Sequence, residues 1–109
     1  MTLSLNSMMI LAAALSFAFG GVFMKYSDGL RNPEPSLAVF ILFVLGACLQ
    51  IMAMRNSELS VTYLVVLGFE AVMSFGLGIL VFKESISLLK IVGALIVVLG
   101  IIVLRTEAA

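Results

Sequence analysis

The charged residues of this 109-residue chain stand almost entirely in four short clusters, and the intervals between clusters are long and apolar. The clusters are Lys25, Asp28, Arg31 and Glu34; Arg55 and Glu58; Lys83, Glu84 and Lys90; and Arg105 and Glu107. Only Glu70 falls outside them. A helix needs about 20 apolar residues to cross a hydrocarbon core of about 30 Å. The pattern therefore predicts spans at Met8–Met24, Leu37–Met54, Val61–Phe82 and Leu88–Leu104. Lys90, inside the last and shortest span, is expected to snorkel back to the interface on its apolar stem. A β-barrel is excluded, because membrane strands alternate polar and apolar residues and these segments do not.

Composition closes off the soluble alternative. The chain is 63% hydrophobic and 11% charged, against roughly 45–50% and about 25% in soluble domains. So short a chain has too little interior to hide that much apolar surface from water. The expected fold is an all-α integral membrane protein of one domain over residues 1–109. The first span is read as a retained helix rather than a signal peptide, since nothing basic precedes Lys25 and three spans follow.

Loop one contains Gly29-Leu30-Arg31-Asn32-Pro33-Glu34-Pro35-Ser36, where the prolines break the helix and Ser36 can cap the next one. Loop two is Arg55-Asn56-Ser57-Glu58-Leu59-Ser60, again with serines placed to cap. Loop three is about Lys83–Ser87. Connections this short make successive helices antiparallel neighbours. Lys25, Arg31, Lys83 and Lys90 lie on one side, and Arg55, Arg105 and the amino terminus on the other. The bias leans towards loops one and three being cytoplasmic, by so little that insertion both ways round is expected.

Several function classes are excluded. There is no histidine, which removes the commonest metal ligand and the usual general base. No nucleophile–base pair, phosphate-binding glycine loop or ligand cluster is present, so the chain is not read as an enzyme and no cofactor is expected. Net charge is zero, which gives no footprint for nucleic acid. The single cysteine, Cys48, is read as a small buried hydrophobe. What remains is membrane-embedded chemistry.

Glu70 carries most of that chemistry. It lies near the midpoint of the third span, where a charge costs at least roughly 2.5–3.5 kcal/mol and normally faces a bundle interior or an aqueous cavity. A purely structural reading is an interhelical hydrogen bond. Residues seven before, four after and seven after Glu70 share its face: Tyr63, Ser74 and Leu77. A phenol, a carboxylate and a hydroxyl on one stripe can line a path for a cation or proton. Taken singly, Tyr63 is also an interfacial anchor and Ser74 a small packing residue.

Small residues mark packing faces, because close backbone approach drives helix association in lipid. Ala12, Ser16 and Gly20 recur along one face of the first span, as do Ala13 and Gly21 around Phe17. Gly46 and Gln50 share a face in the second span, where Gln50 is read as an interhelical hydrogen bond. Gly93 and Gly100 lie seven apart in the fourth span and mark a helix–helix seam, within or between chains. Four helices pack solid, so a cavity wide enough for a substrate needs a second copy or a paralogous four-helix subunit.

Length, layout and motifs resemble the small multidrug resistance family of the drug/metabolite transporter superfamily. Met24-Lys25-Tyr26-Ser27-Asp28-Gly29 is similar to that family's signature at the end of its first helix. Tyr63 stands at its substrate-facing tyrosine, and Phe82 to Gly93 resembles its third loop and fourth-helix entry. Gly93 and Gly100 match the glycine spacing of its dimer-forming helix. The resemblance implies an antiparallel dimer in the bacterial inner membrane that exchanges protons for organic cations by alternating access.

The chain also departs from the pattern. The family's helix-one carboxylate position, eight residues before Lys25, is Phe17; its helix-three tryptophan position is Val66; and its Gly-x-Gly reads Gly68-Phe69-Glu70. Either the charge has relocated to Glu70, or proton coupling is lost and Glu70 serves another end. A lipid-linked sugar flippase-type or accessory subunit, half of a hetero-oligomer, is the alternative function. A purely structural subunit is the third.

Overall fold

The computed structural model describes residues 5–55 and 57–108, the last two in backbone only. They form α1 (Leu5–Tyr26), α2 (Pro33–Met54), α3 (Leu59–Phe82) and α4 (Leu88–Ala108). All four are long and apolar enough to cross a membrane. The chain is an all-α, multi-pass membrane protein.

Each helix runs beyond the apolar stretch that announces it. The most informative extension is at α2, which begins at Pro33 and has Asn32 as its N-cap residue. The two prolines thus start this helix. Proline is tolerated in a first turn, where the missing N–H has no intrahelical partner anyway. Ser36 is consequently inside the helix, its hydroxyl donating to the Asn32 carbonyl at 2.6 Å, and does not cap. In loop two the N-cap position of α3 is Glu58, without a side-chain cap, so the serines do not cap there either.

α1 is the hub. It packs along α2 and α3, whereas α2 barely meets α3 and the backbone of α4 comes close to α3 alone. The α1–α2 seam interlocks rings with glycines. A β-carbon at Gly20 would lie 2.5 Å from the Phe43 ring, and one at Gly46 would lie 2.9 Å from the Phe17 ring. The two rings meet edge-on at 5.1 Å between centroids. On the far side of α3, a β-carbon at Gly68 would lie 2.7 Å from Cγ1 of Ile101, so α4 seats through that notch. Ile10, Ala13, Ala14, Ala53, Val65, Val66 and Ile101 form the buried cluster where these seams converge.

Polar ties secure the ends. Arg105 Nη2 donates to Ser7 Oγ at 2.6 Å, joining the end of α4 to the start of α1. Asn6 Nδ2 donates to Ser57 Oγ at 3.0 Å. Two residues fall elsewhere than the sequence indicates. Cys48 is exposed on the outer side of α2. Gln50 is buried, yet makes no hydrogen bond among the described residues.

The Thr62 hydroxyl is 1% exposed and has no hydrogen-bond partner among the described residues. A buried polar group left unpaired costs about 1–3 kcal/mol, and an apolar replacement of the same shape removes the cost. Thr62→Val is therefore expected to stabilise the fold by about 1 kcal/mol, read as a raised denaturation midpoint in micelles. An unchanged or lowered midpoint would show that the hydroxyl is satisfied.

Candidate functional site

Glu70, Tyr63 and Ser74 all stand on α3, whose regular helix from Leu59 to Phe82 keeps them on one stripe. Tyr63 and Ser74 are exposed on the chain, and Glu70 is half-buried. Glu70 has no hydrogen-bond or ion-pair partner among the described residues. It therefore does not make the interhelical hydrogen bond that is the structural reading of its sequence.

Ser74 approaches α1, its Oγ lying 4.0 Å from where a Gly21 β-carbon would stand. It lines a groove of about 150 Å³ between α1 and α3, together with Gly21, Leu77 and Gly78. Glu70 lies one turn below Ser74, towards the start of α3, and does not line that groove. Tyr63 lies nearly two turns below Glu70 and is likewise outside it. The three residues share a helix face, and of them only Ser74 lines the α1–α3 groove.

A groove of about 590 Å³ lies between α3 and α4 and contains none of the three. Its lining is apolar apart from Arg105 and Thr106, including Phe69, Val72 and Ile101. It is a shallow face that offers a cation nothing with which to exchange charge.

Phe17 fills its place in the helix-one core. Its ring packs on Gly46 and Phe43 of α2, so the position carries packing rather than a charge in this chain. Val66, 1% exposed, is likewise a core residue. Among the described residues no group of three histidine, cysteine or acidic side chains is placed to hold a metal ion.

Gly93 and Gly100 are exposed, with nothing within 4 Å of a β-carbon added at either. Leu89, Gly93, Ile96, Gly100 and Val103 are all exposed and are spaced four, three, four and three residues apart. That spacing places them along one face of α4. It is a flank that α3 leaves open.

A further cluster lies at the loop-one and loop-three end. Lys25 Nζ stands 3.4 Å from Glu84 Oε2 and 5.2 Å from the centroid of the Phe82 ring. Tyr26 packs on Phe82 at 5.1 Å. The sequence places Lys25 and Glu84 in separate charge clusters 59 residues apart and gives no signal of their pairing.

Comparison with known proteins agrees with this architecture. Residues 5–99 match the family model described as Small Multidrug Resistance protein. The chain is 28% identical to the quaternary ammonium compound-resistance protein QacH of Staphylococcus saprophyticus over 89% of its length and 91% of the relative's. It is 30% identical to the multidrug resistance protein EbrB of Bacillus licheniformis, covering 96% of this chain and 92% of that one. It is 26% identical to EbrA of Bacillus atrophaeus, covering 87% and 90%. These relatives are named for resistance and none for catalysis, in keeping with a membrane transporter that is not an enzyme. Four apolar spanning helices, short loops and a match over nearly the whole length make one assignment: this chain belongs to the small multidrug resistance protein family.

Proposed function

We propose that the chain exports small organic cations, quaternary ammonium compounds among them, in exchange for protons by alternating access within an antiparallel dimer. One observation carries this reading. Glu70 is the single acidic or basic residue outside the end clusters, and it stands half-buried and, among the described residues, unpartnered on a stripe with Tyr63 and Ser74. An unpaired carboxylate at that depth needs a proton or a cation as its partner. Because it takes one or the other, the two fluxes are coupled. Two copies facing each other close the open side of α3 into a cavity. The resistance names of the relatives support the substrate class.

Phe17 favours a second reading. With the helix-one carboxylate replaced by a packed ring, a paralogous four-helix subunit can supply that acid in a hetero-oligomer, or the chain can serve as a flippase-type accessory subunit. Solid-supported-membrane electrophysiology on the purified chain, against a panel of organic cations, decides between them. Proton-dependent currents from the chain alone support the homodimer. Currents that appear only with a second four-helix subunit support the hetero-oligomer, and silence in both preparations removes the transport reading.

A further inference from the structure

We propose that the mouth of the α1–α3 groove is a recognition site for a small quaternary ammonium ion, occupied in this structure by the chain's own Lys25 ammonium between Glu84 and the Phe82 ring. This rests on the transport reading above and adds a site remote from Glu70. The ammonium of Lys25 is held by a carboxylate at 3.4 Å and a ring face at 5.2 Å. Those are the two elements that recognise a cation unable to donate hydrogen bonds: an opposite charge and an aromatic quadrupole. Tyr26, packed on Phe82, extends the aromatic wall.

Backbone geometry fixes the carboxylate in place. Lys83 adopts the left-handed conformation at φ 54°, ending α3, and the Glu84 N–H donates to the Gly78 carbonyl at 3.2 Å. This returns the Glu84 side chain onto Gly78, where the absence of a β-carbon leaves room for it. The groove behind has about 150 Å³ and reaches Ser74, one turn from Glu70. It accepts a small ammonium head and directs it towards the stripe.

The resident cation is easily displaced. Lys25 and Glu84 are 58% and 44% exposed in their side chains, and an exposed ion pair is weak. An incoming quaternary ammonium takes the carboxylate and ring while Lys25 swings into water.

The test is an NMR titration of tetraethylammonium into the full chain in micelles, carrying Glu70→Gln to remove the deeper carboxylate and followed on the Tyr26 and Phe82 ring resonances. Removing the competitor with Lys25→Met is expected to tighten binding about 1.5- to fivefold, the range a weak exposed ion pair corresponds to. Glu84→Gln is expected to abolish saturable binding, and Lys83→Met, a loss of equal charge beside the site, to leave it unchanged. If Glu84→Gln disturbs resonances throughout loop three, the contrast between Lys25→Met and Lys83→Met decides alone. Equal tightening by both, or ring resonances that never move, overturns the site. The outcome is separable from transport: flux that survives Glu70→Gln removes the role of Glu70 and leaves this titration intact, whereas silent rings remove the vestibule and leave flux intact.

Discussion

Glu70→Gln is expected to leave a folded, oligomeric protein that no longer couples substrate movement to protons. Glutamine preserves the size and polarity of the side chain. Glu70 makes no hydrogen bond or ion pair among the described residues, so the substitution breaks no contact within the chain. What it removes is the charge. The carboxylate attracts the cation by charge alone, and losing that attraction should lower cation flux at least about tenfold, equivalent to about 1.4 kcal/mol. Glu58→Gln, exposed at the start of α3, is the control and should transport normally. Glu70→Asp keeps the charge on a shorter stem and should retain part of the activity. Flux in proteoliposomes checks all three, and wild-type flux from Glu70→Gln would make Glu70 a passive polar residue.

Gly100→Leu is expected to break the oligomer while leaving the protomer intact. α4 packs on α3, with Arg105 tied to Ser7 of α1 at its end, and the flank carrying Leu89, Gly93, Ile96, Gly100 and Val103 is exposed. In lipid there is no hydrophobic drive to cover such a flank, so two copies associate only if their backbones approach closely, which the glycines permit. A β-carbon added at Gly100 meets nothing within 4 Å in the chain itself. The same change at Gly68 would strike Ile101 and unseat α4. This contrast makes the experiment specific. Dissociation in micelles should strengthen at least about tenfold for Gly100→Leu, equivalent to about 1.4 kcal/mol, with helicity unchanged. An oligomer that withstands it has its seam on another face.

The four helices were legible because charge clustering marks the ends of spans more sharply than any periodicity. The packing stripe of α1 was legible for the same kind of reason. Ser16 and Gly20 are buried, and Gly20 lies against Phe43 of α2, as small residues repeating every fourth position imply. Reading failed where a local rule had two outcomes. Pro33 and Pro35 fit a helix break and a first helical turn equally well, and Asn32 at the N-cap position resolves the choice for the turn. Gln50 and Cys48 could not be placed because an all-apolar helix carries little amphipathic signal to distinguish its inner and outer sides. The Lys25–Glu84 pair depends on the relative height of α1 and α3, which packing sets. Phe17 was recognised as a departure from the family, but its interlock with Gly46 required the register of α2 against α1.

The central claim is that Glu70 exchanges a proton for a cation, and the most direct measurement is substrate-driven proton release from purified protein in weakly buffered detergent. Adding a quaternary ammonium substrate to the wild type should release protons in a saturable manner, whereas Glu70→Gln should release none. Equal release from the two proteins would contradict the account, leaving Glu70 a structural residue and coupling to be sought elsewhere.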